Sequence, residues 1–144
     1  MYKHILAATD FSDLGDRGLA KAVTLAIELH AKLTLLHVMP EADDPNPMYA
    51  HYEVRKHVEK LEESRERARG ALADLVAKDS GRIELAFEVR VGDPATQILD
   101  TAKEVGADLI VVASNGQRGF TQWLLGSVTD RCVRGTDRDV LVVT

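Results

Sequence analysis

The chain has 144 residues, of which 45% are apolar and 28% are charged, and its formal net charge is −5. This length predicts one domain with a buried core. No apolar run approaches the roughly 18 residues that a membrane-spanning helix needs. The negative charge argues against nonspecific nucleic-acid binding, which requires a basic face. The single cysteine, Cys132, excludes an internal disulfide and favours the reducing cytoplasm.

Strand and helix patterns alternate from the start of the chain. The apolar run at residues 5–8 is typical of a short buried strand, and we interpret it as such instead of as part of a signal peptide. Ser12 or Asp13 then caps a helix whose apolar stripe, with a period of 3.6 residues, continues as far as His30. A second predicted strand follows at residues 33–38.

The middle of the chain changes from a loop to a long charged helix. Three of the four prolines fall within residues 39–47, which predicts a loop. Residues 49–78 carry one apolar stripe and predict an amphipathic helix, which Gly70 could bend or interrupt. Residues 83–91 alternate between apolar and polar side chains, and this pattern favours an edge strand with one wet face.

The last third contains the clearest helix boundaries. Asp93 is a predicted N-cap, Pro94 a predicted first helical residue, and Gly106 a predicted helix stop. The remaining predicted elements are a strand, a helix and a strand, at residues 109–113, 127–134 and 140–143. Five strands alternating with four helices predict one α/β domain over residues 1–144, an open parallel sheet with helices on both faces.

A glycine-bearing loop follows the strand at residues 109–113, which is apolar throughout and predicted to be buried on both faces. Glycines let the backbone approach a phosphate, and the free N–H groups at a helix start point toward it. The sequence therefore predicts a nucleotide-phosphate site. Its candidate residues are Ser114, Asn115, Gly116, Arg118, Gly119, Gly126 and Ser127.

Plainer interpretations of the same residues remain open. The loop glycines also suit simple turns, and the serine and asparagine after the strand also suit closure of that turn. Ser127 is equally able to cap the helix, and an exposed arginine such as Arg118 is often only solvated. Asp10 follows a first strand, where an aspartate commonly caps the next turn.

Several segments, taken together, resemble the universal stress protein family, and the resemblance covers the full length of the chain. The matching segments are Ile-Leu-Ala-Ala-Thr-Asp-Phe-Ser at 5–12, Leu-His-Val at 36–38, Val-Gly-Asp-Pro at 91–94, Ala-Asp-Leu-Ile-Val-Val-Ala-Ser at 107–114, Leu-Leu-Gly-Ser-Val at 124–128 and Val-Leu-Val-Val at 140–143. The order and spacing of these segments make the resemblance specific.

The ATP-binding branch of this family carries a glycine, two residues, a second glycine, nine residues, and then glycine with serine or threonine. Gly116, Gly126 and Ser127 match the last three positions, whereas Ala113 stands where the branch has its first glycine. If that position requires a positive φ, the Cβ of alanine costs on the order of 1 kcal/mol. If it simply ends the strand, we expect the methyl group to be tolerated.

The resemblance also implies an architecture and a binding mode. It implies a Rossmann-like sheet of order 3-2-1-4-5, as in the adenine nucleotide alpha hydrolase-like folds. In that arrangement Thr9 and Asp10 lie beside the glycine loop, with Asp10 near the nucleoside, and Val38 faces the adenine through its backbone. Val128 is a candidate only by its position next to Ser127. A divalent ion such as Mg²⁺ or Mn²⁺ would arrive with ATP. A homodimer is implied through the last strand, Val140 to Thr144.

No general base, nucleophile or Walker-type lysine stands out, so we do not predict an enzyme beyond slow ATP hydrolysis. The predicted function is an ATP-binding regulatory module that responds to stress and acts on a protein partner that the sequence does not identify. Two alternatives stay open: a dimeric interaction protein that needs no nucleotide, and a slow ATPase. The histidines and Cys132 show no metal-binding spacing, and Cys132 is expected to pack.

Overall fold

The structure is a computed structural model that describes residues 1–39, 50–78, 81–114 and 127–144. Within these residues, five strands and four helices alternate along the chain. They are β1 His4–Thr9, α1 Asp13–Leu29, β2 Lys32–Met39, α2 Ala50–Val76, β3 Leu85–Val91, α3 Pro94–Val105, β4 Leu109–Ala113, α4 Ser127–Gly135 and β5 Asp139–Val143. The predicted proline-rich loop lies outside the described residues from residue 40 onward.

All four pairs of neighbouring strands are parallel, and the strand order is β3-β2-β1-β4-β5. This confirms the α/β fold and the order implied by the resemblance. The order reverses between β1 and β4, where Ile5 pairs with Leu109 and Ala7 with Val111. β3 lies at one edge of the sheet, as its alternating pattern predicted, and β5 lies at the other.

Helices cover both faces of the sheet, and each face has its own apolar core. α1 and α2 pack on one face, where Leu19, Val23 and Leu72 are buried against alternate residues of the strands. α3 and α4 pack on the other face through Ile98 and Cys132. The central strands are therefore buried on both sides, which explains why most of their residues are apolar.

α1 begins at its predicted cap and ends one residue before the end of its predicted apolar stripe. The hydroxyl oxygen of Ser12 accepts a hydrogen bond from the backbone N–H of Gly15, so Ser12 is the N-cap. His30 was predicted to lie on the buried stripe, and this prediction is wrong. His30 is exposed and occupies the C-cap position with φ 52°, because the chain must turn there to enter β2.

α2 and β3 differ from their predicted boundaries in small ways. α2 runs through Gly70 and ends at Val76, so this glycine does not interrupt the helix. Ile83 was predicted to lie in the strand, but β3 begins at Leu85. Ile83 instead packs, half-buried, against the core on the α1 and α2 face. The apolar–polar alternation of residues 83–91 thus begins with Ile83, which is half-buried by side-chain packing and not by strand pairing.

α3 matches its predicted boundaries. The carboxylate of Asp93 accepts a hydrogen bond from the backbone N–H of Thr96, Pro94 occupies the first turn, and Gly106 ends the helix with φ 69°. The φ of Gly106 lies in the left-handed region, which glycine adopts without a Cβ penalty.

Candidate functional site

A cavity of about 170 Å³ opens at the carboxyl ends of β1 and β4. These strands are neighbours, but the chain leaves them toward opposite faces of the sheet. α1 follows β1 and covers one face, whereas α4 follows β4 and covers the other. Open α/β sheets bind ligands in the crevice that such a divergence creates. Part of the cavity wall is apolar and consists of Val38 at the end of β2 with Pro94 and Ile98 of α3.

The turn between β1 and α1 supplies the polar side of the cavity. Thr9, Asp10 and Ser12 all line it. Oδ1 of Asp10 accepts hydrogen bonds from the backbone N–H of Ser12, at 2.9 Å, and from the Ser12 hydroxyl. Oγ1 of Thr9 accepts from the backbone N–H of Phe11 at 3.0 Å. Asp10 therefore caps this turn, and its exposed carboxylate also faces the cavity.

Gly15 brings the first turn of α1 against this polar side. A Cβ atom at position 15 would lie 2.7 Å from Oδ1 of Asp10 and 2.7 Å from Oγ1 of Thr9. Both distances are shorter than real Cβ contacts allow. Glycine is therefore required for the close approach of α1 to the two side chains that line the cavity.

The start of α4 forms the opposite side of the cavity. The Thr129 hydroxyl donates a hydrogen bond to the backbone carbonyl of Ala113 at 2.9 Å, and this bond attaches α4 to the end of β4. Val128 and Thr129 line the cavity, and Ser127 is the exposed first residue of the helix. Because the first N–H groups of a helix lack intrahelical partners, this end of α4 is suited to an anion.

A second attachment holds α4 against α3. Nη1 of Arg131 lies 2.8 Å from Oδ1 of Asp93, whose other oxygen accepts from the N–H and the hydroxyl of Thr96. The hydrogen bond from Arg131, together with those from Thr96, holds the pKa of Asp93 well below its usual range. The Asp93 carboxylate thus caps α3 through Thr96 and also connects α3 to α4 through Arg131.

Ala113 ends β4 in a strand conformation, and its φ is not positive. Along β4 the side chains of Leu109 and Val111 belong to the core on the α1 face, so the alternation of the strand directs the Ala113 methyl group to that face too. A Cβ atom built on Gly18 of α1 would lie 3.6 Å from the Ala113 Cβ. The methyl group therefore points toward a glycine.

Comparison with known proteins identifies the family. The family model described as the universal stress protein family matches residues 1–144. The chain belongs to the universal stress protein family. It is 33% identical over 159 residues to the universal stress protein YxiE of Bacillus subtilis, with 99% of each chain covered.

Solved universal stress protein structures share the fold. The hypothetical protein MJ0577, from Methanocaldococcus jannaschii, superposes with a TM-score of 0.78 at 27% identity, covering 99% of this chain and 96% of its own. A universal stress protein in complex with cAMP superposes with a TM-score of 0.63 at 30% identity, covering 99% and 97%.

In this universal stress protein, six predicted site residues meet around one cavity. They are Thr9, Asp10, Val38, Ala113, Ser114 and Val128. Ser127 lies next to the cavity at the start of α4. The other five predicted residues lie outside the described residues, and their phosphate-binding role remains a prediction: Asn115, Gly116, Arg118, Gly119 and Gly126.

Sequence reasoning did not name Gly15, Ile98 or Thr129 for the site. A glycine in the first turn of a helix was a usable signal for a close approach. Thr129 gave no such signal, because its contact with Ala113 joins positions 16 residues apart through the fold.

Cys132 is a residue of the apolar core and not of the cavity wall that the structure describes. Cys132 is fully buried in the core between α3, α4 and the sheet, and burial raises the pKa of its thiol to about 11. This supports packing, as predicted, because an inert thiol carries no thiolate at neutral pH. Among the described residues, no group of three or more His, Cys, Asp or Glu side chains is placed to hold a metal ion.

A larger groove of about 480 Å³ is lined by α1 on one side and by Val76, at the end of α2, with Lys78 and Arg82 on the other. Its described lining includes no residue at a strand end. None of the described helices is both long and apolar enough to span a membrane.

Proposed function

We propose that the chain is a regulatory module that binds ATP at the carboxyl ends of β1 and β4. The observation that carries the proposal is the cavity there, which predicted site residues from four separate segments of the chain line together. The complex of a 30% identical family member with cAMP supports an adenine nucleotide as ligand. Residues 1–144 act as one domain in this proposal, and its cytoplasmic location rests on the single cysteine.

The proposed binding mode divides the nucleotide between the two sides of the cavity. The nucleoside lies against Val38, Pro94 and Ile98, with Asp10 near the ribose. The phosphates extend to the N-terminal end of α4, where the Ser127 hydroxyl and the first N–H groups hold them, together with the adjoining glycine loop. Phosphate oxygens and water supply most ligands of an accompanying Mg²⁺ or Mn²⁺, since such ions keep several waters beside nucleotides.

Isothermal titration with ATP and magnesium tests the proposal, and thermal unfolding gives an independent measurement. At about a hundred times the dissociation constant, ATP should stabilise the folded chain by about 2.7 kcal/mol. For a domain of this size the melting temperature should rise by several degrees. An absence of heat and of any rise with millimolar ATP would disprove it.

An aspartate variant and a matched control test the binding mode. Asp10→Asn keeps an oxygen for the Ser12 hydrogen bonds and removes the charge, so we expect roughly tenfold weaker binding with little loss of stability. The control is Asp137→Asn, which changes an exposed carboxylate paired with Arg138 at the opposite end of the sheet. Equal affinities in the two variants would exclude Asp10 from the site.

We also propose that the chain forms a homodimer through the last strand, residues 140–144. β5 is an edge strand paired only with β4 in the described sheet, and its residues 140–143 are half-buried. An apolar edge strand without charge or proline tends to pair with another strand. Sedimentation velocity over a range of concentrations, with and without ATP, should show a dimer. A monomer at every concentration would refute this.

A further inference from the structure

The turn that carries Asp10 contains a strained residue. Phe11 has φ 62°, and only one other non-glycine residue in the described ranges, the exposed helix cap His30, has a positive φ. A bulky side chain rarely adopts this conformation, which persists only when surrounding contacts impose it. The contacts around Phe11 therefore decide how Thr9 and Asp10 meet the cavity.

His37 makes two of these contacts from β2. Its Nδ1 atom lies 2.9 Å from the backbone carbonyl oxygen of Thr9, its register partner on β1. Because a carbonyl oxygen only accepts hydrogen bonds, Nδ1 carries the proton in this bond. The ring of His37 also packs against the ring of Phe11, with centroids 4.5 Å apart and an angle of 41° between the planes.

His37 contacts the turn from the α1 face of the sheet and not from the cavity. The side chains of β2 alternate, and Leu33 and Leu35 point to the α1 face, so His37 points to that face as well, whereas Val38 points to the cavity. His37 is not among the residues described as lining the cavity. Any effect of His37 on a ligand therefore passes through Thr9 and Phe11.

We propose that His37 is a positioning residue of the nucleotide site. Its hydrogen bond to the Thr9 carbonyl holds the strained turn, against which its ring also packs, and the turn presents Thr9 and Asp10 to the ligand. This inference rests on the proposed nucleotide-binding function. It differs from a packing role for His37, because packing needs only an apolar group of similar size, whereas positioning needs the donor at Nδ1.

Two variants separate the donor from the packing. His37→Asn places an amide N–H near the position of Nδ1 and keeps the hydrogen bond to Thr9, while His37→Leu fills the space without a donor. We expect His37→Leu to raise the dissociation constant for ATP roughly tenfold, and His37→Asn to stay within about threefold of wild type. The control is His30→Leu, which alters the other positive-φ position and should leave ATP affinity unchanged.

Three measurements complete the test. Titration calorimetry gives the ATP affinities of wild type and the variants. Long-range ¹H–¹⁵N spectra of the wild type identify the protonated nitrogen of His37. Hydrogen exchange without ligand measures the protection of the Phe11 and Ser12 amides in each protein. The proposal predicts a proton on Nδ1 and faster exchange in His37→Leu than in His37→Asn. Equal ATP affinities in these two variants, or a proton on Nε2 alone, would overturn it even when wild type binds ATP.

The same measurements separate a failure of this inference from a failure of the proposed function. If wild type does not bind ATP, the nucleotide-binding function fails, and with it the claim that His37 serves a nucleotide. Hydrogen exchange then still decides whether His37 holds the turn, since that measurement uses the free protein. Equal exchange rates in His37→Leu and His37→Asn would reject that role too.

Discussion

The two ends of the sheet contain similar polar residues but arrange them differently. At the amino end, polar groups satisfy one another. The carboxylate of Asp108 accepts hydrogen bonds from the backbone N–H groups of Lys3 and His4, at 2.9 and 3.0 Å. The Tyr2 hydroxyl donates to Asp139 at 2.7 Å. This end of the sheet ties β1, β4 and β5 together.

At the carboxyl end, the same kinds of group surround a cavity. Asp10 caps a turn there but also faces open space, and the turn includes Phe11 in a strained conformation. Gly92, just after β3, has φ 141°, which side-chain-bearing residues rarely adopt. Backbone strain at a ligand site persists because the stable structure around it offsets its energetic cost. We therefore expect substitutions at the amino end to change stability, and substitutions at the carboxyl end to change affinity.

The largest expected effect is on stability, from Asp108→Ala. Loss of the carboxylate leaves the N–H groups of Lys3 and His4 without their acceptor, so the free energy of unfolding should fall by roughly 1–3 kcal/mol. We expect a value near the lower figure, because water reaches part of this end of the sheet and can replace the acceptor. Urea unfolding measures the loss. ATP affinity of the folded variant should stay within about twofold of wild type. A large loss of affinity would contradict the division between the two ends.

The next largest effect is on affinity, from Gly15→Ala. The added Cβ would meet Oδ1 of Asp10 and Oγ1 of Thr9 at 2.7 Å. Both oxygens already accept backbone hydrogen bonds, so they must give up these bonds or shift, and we expect roughly tenfold weaker ATP binding. Titration calorimetry measures the change.

Gly70→Ala is the matched control for Gly15→Ala. Gly70 also lies inside a helix, but a Cβ atom there meets nothing within 4 Å. Alanine should therefore stabilise the protein by about 0.5–1 kcal/mol through helix propensity alone and leave ATP affinity unchanged. If both glycine variants bind ATP equally well, the close approach at Gly15 does not matter for the ligand.

A smaller effect concerns the pH dependence of stability. Burial at the amino end, with the positive charge of Lys32, holds the pKa of His4 below its usual range. The unfolded chain takes up a proton as pH falls through about 6.5, whereas folded His4 stays neutral to a lower pH. Stability should therefore decline as pH falls from about 6.5 to the folded pKa and then stop declining on this account.

Urea unfolding between about pH 8 and 5 measures this decline. His4→Gln keeps a side-chain amide near Thr34, whose hydroxyl lies 2.7 Å from Nε2 of His4, and removes the titrating group. The variant should show a shallower loss of stability with falling pH than wild type. Identical slopes would show that His4 makes no such contribution.

The sequence predicted the elements whose signals are local. α3 is the clearest case, because Asp93, Pro94 and Gly106 mark its two ends by their own backbone chemistry. His30 shows the limit of periodicity, since an apolar stripe does not reveal where a helix must end to enter the next strand. Ile83 shows the same limit, because burial outside the ladder imitates a strand residue.

The site was predictable only in part for a related reason. Loop motifs and the family resemblance indicated Thr9, Asp10 and Ser114, which end a strand or follow one directly. Thr129 and His37 act by contacts with residues 16 and 28 positions away, and no local pattern reports such a contact. Asp10 had two interpretations in the sequence, a turn cap and a ligand contact, and the structure places its carboxylate where both are compatible.

Ala113→Gly should produce the smallest change at the carboxyl end. If the family glycine were needed for phosphate approach, restoring it would strengthen ATP binding severalfold. The strand conformation of Ala113 and the direction of its methyl group toward Gly18 predict instead an affinity within about threefold of wild type. Glycine in the strand should cost about 0.5–1 kcal/mol of stability. Calorimetry on wild type and Ala113→Gly distinguishes the two outcomes. Ala113→Val is the contrasting variant, because its larger side chain crowds Gly18 and is expected to weaken ATP binding.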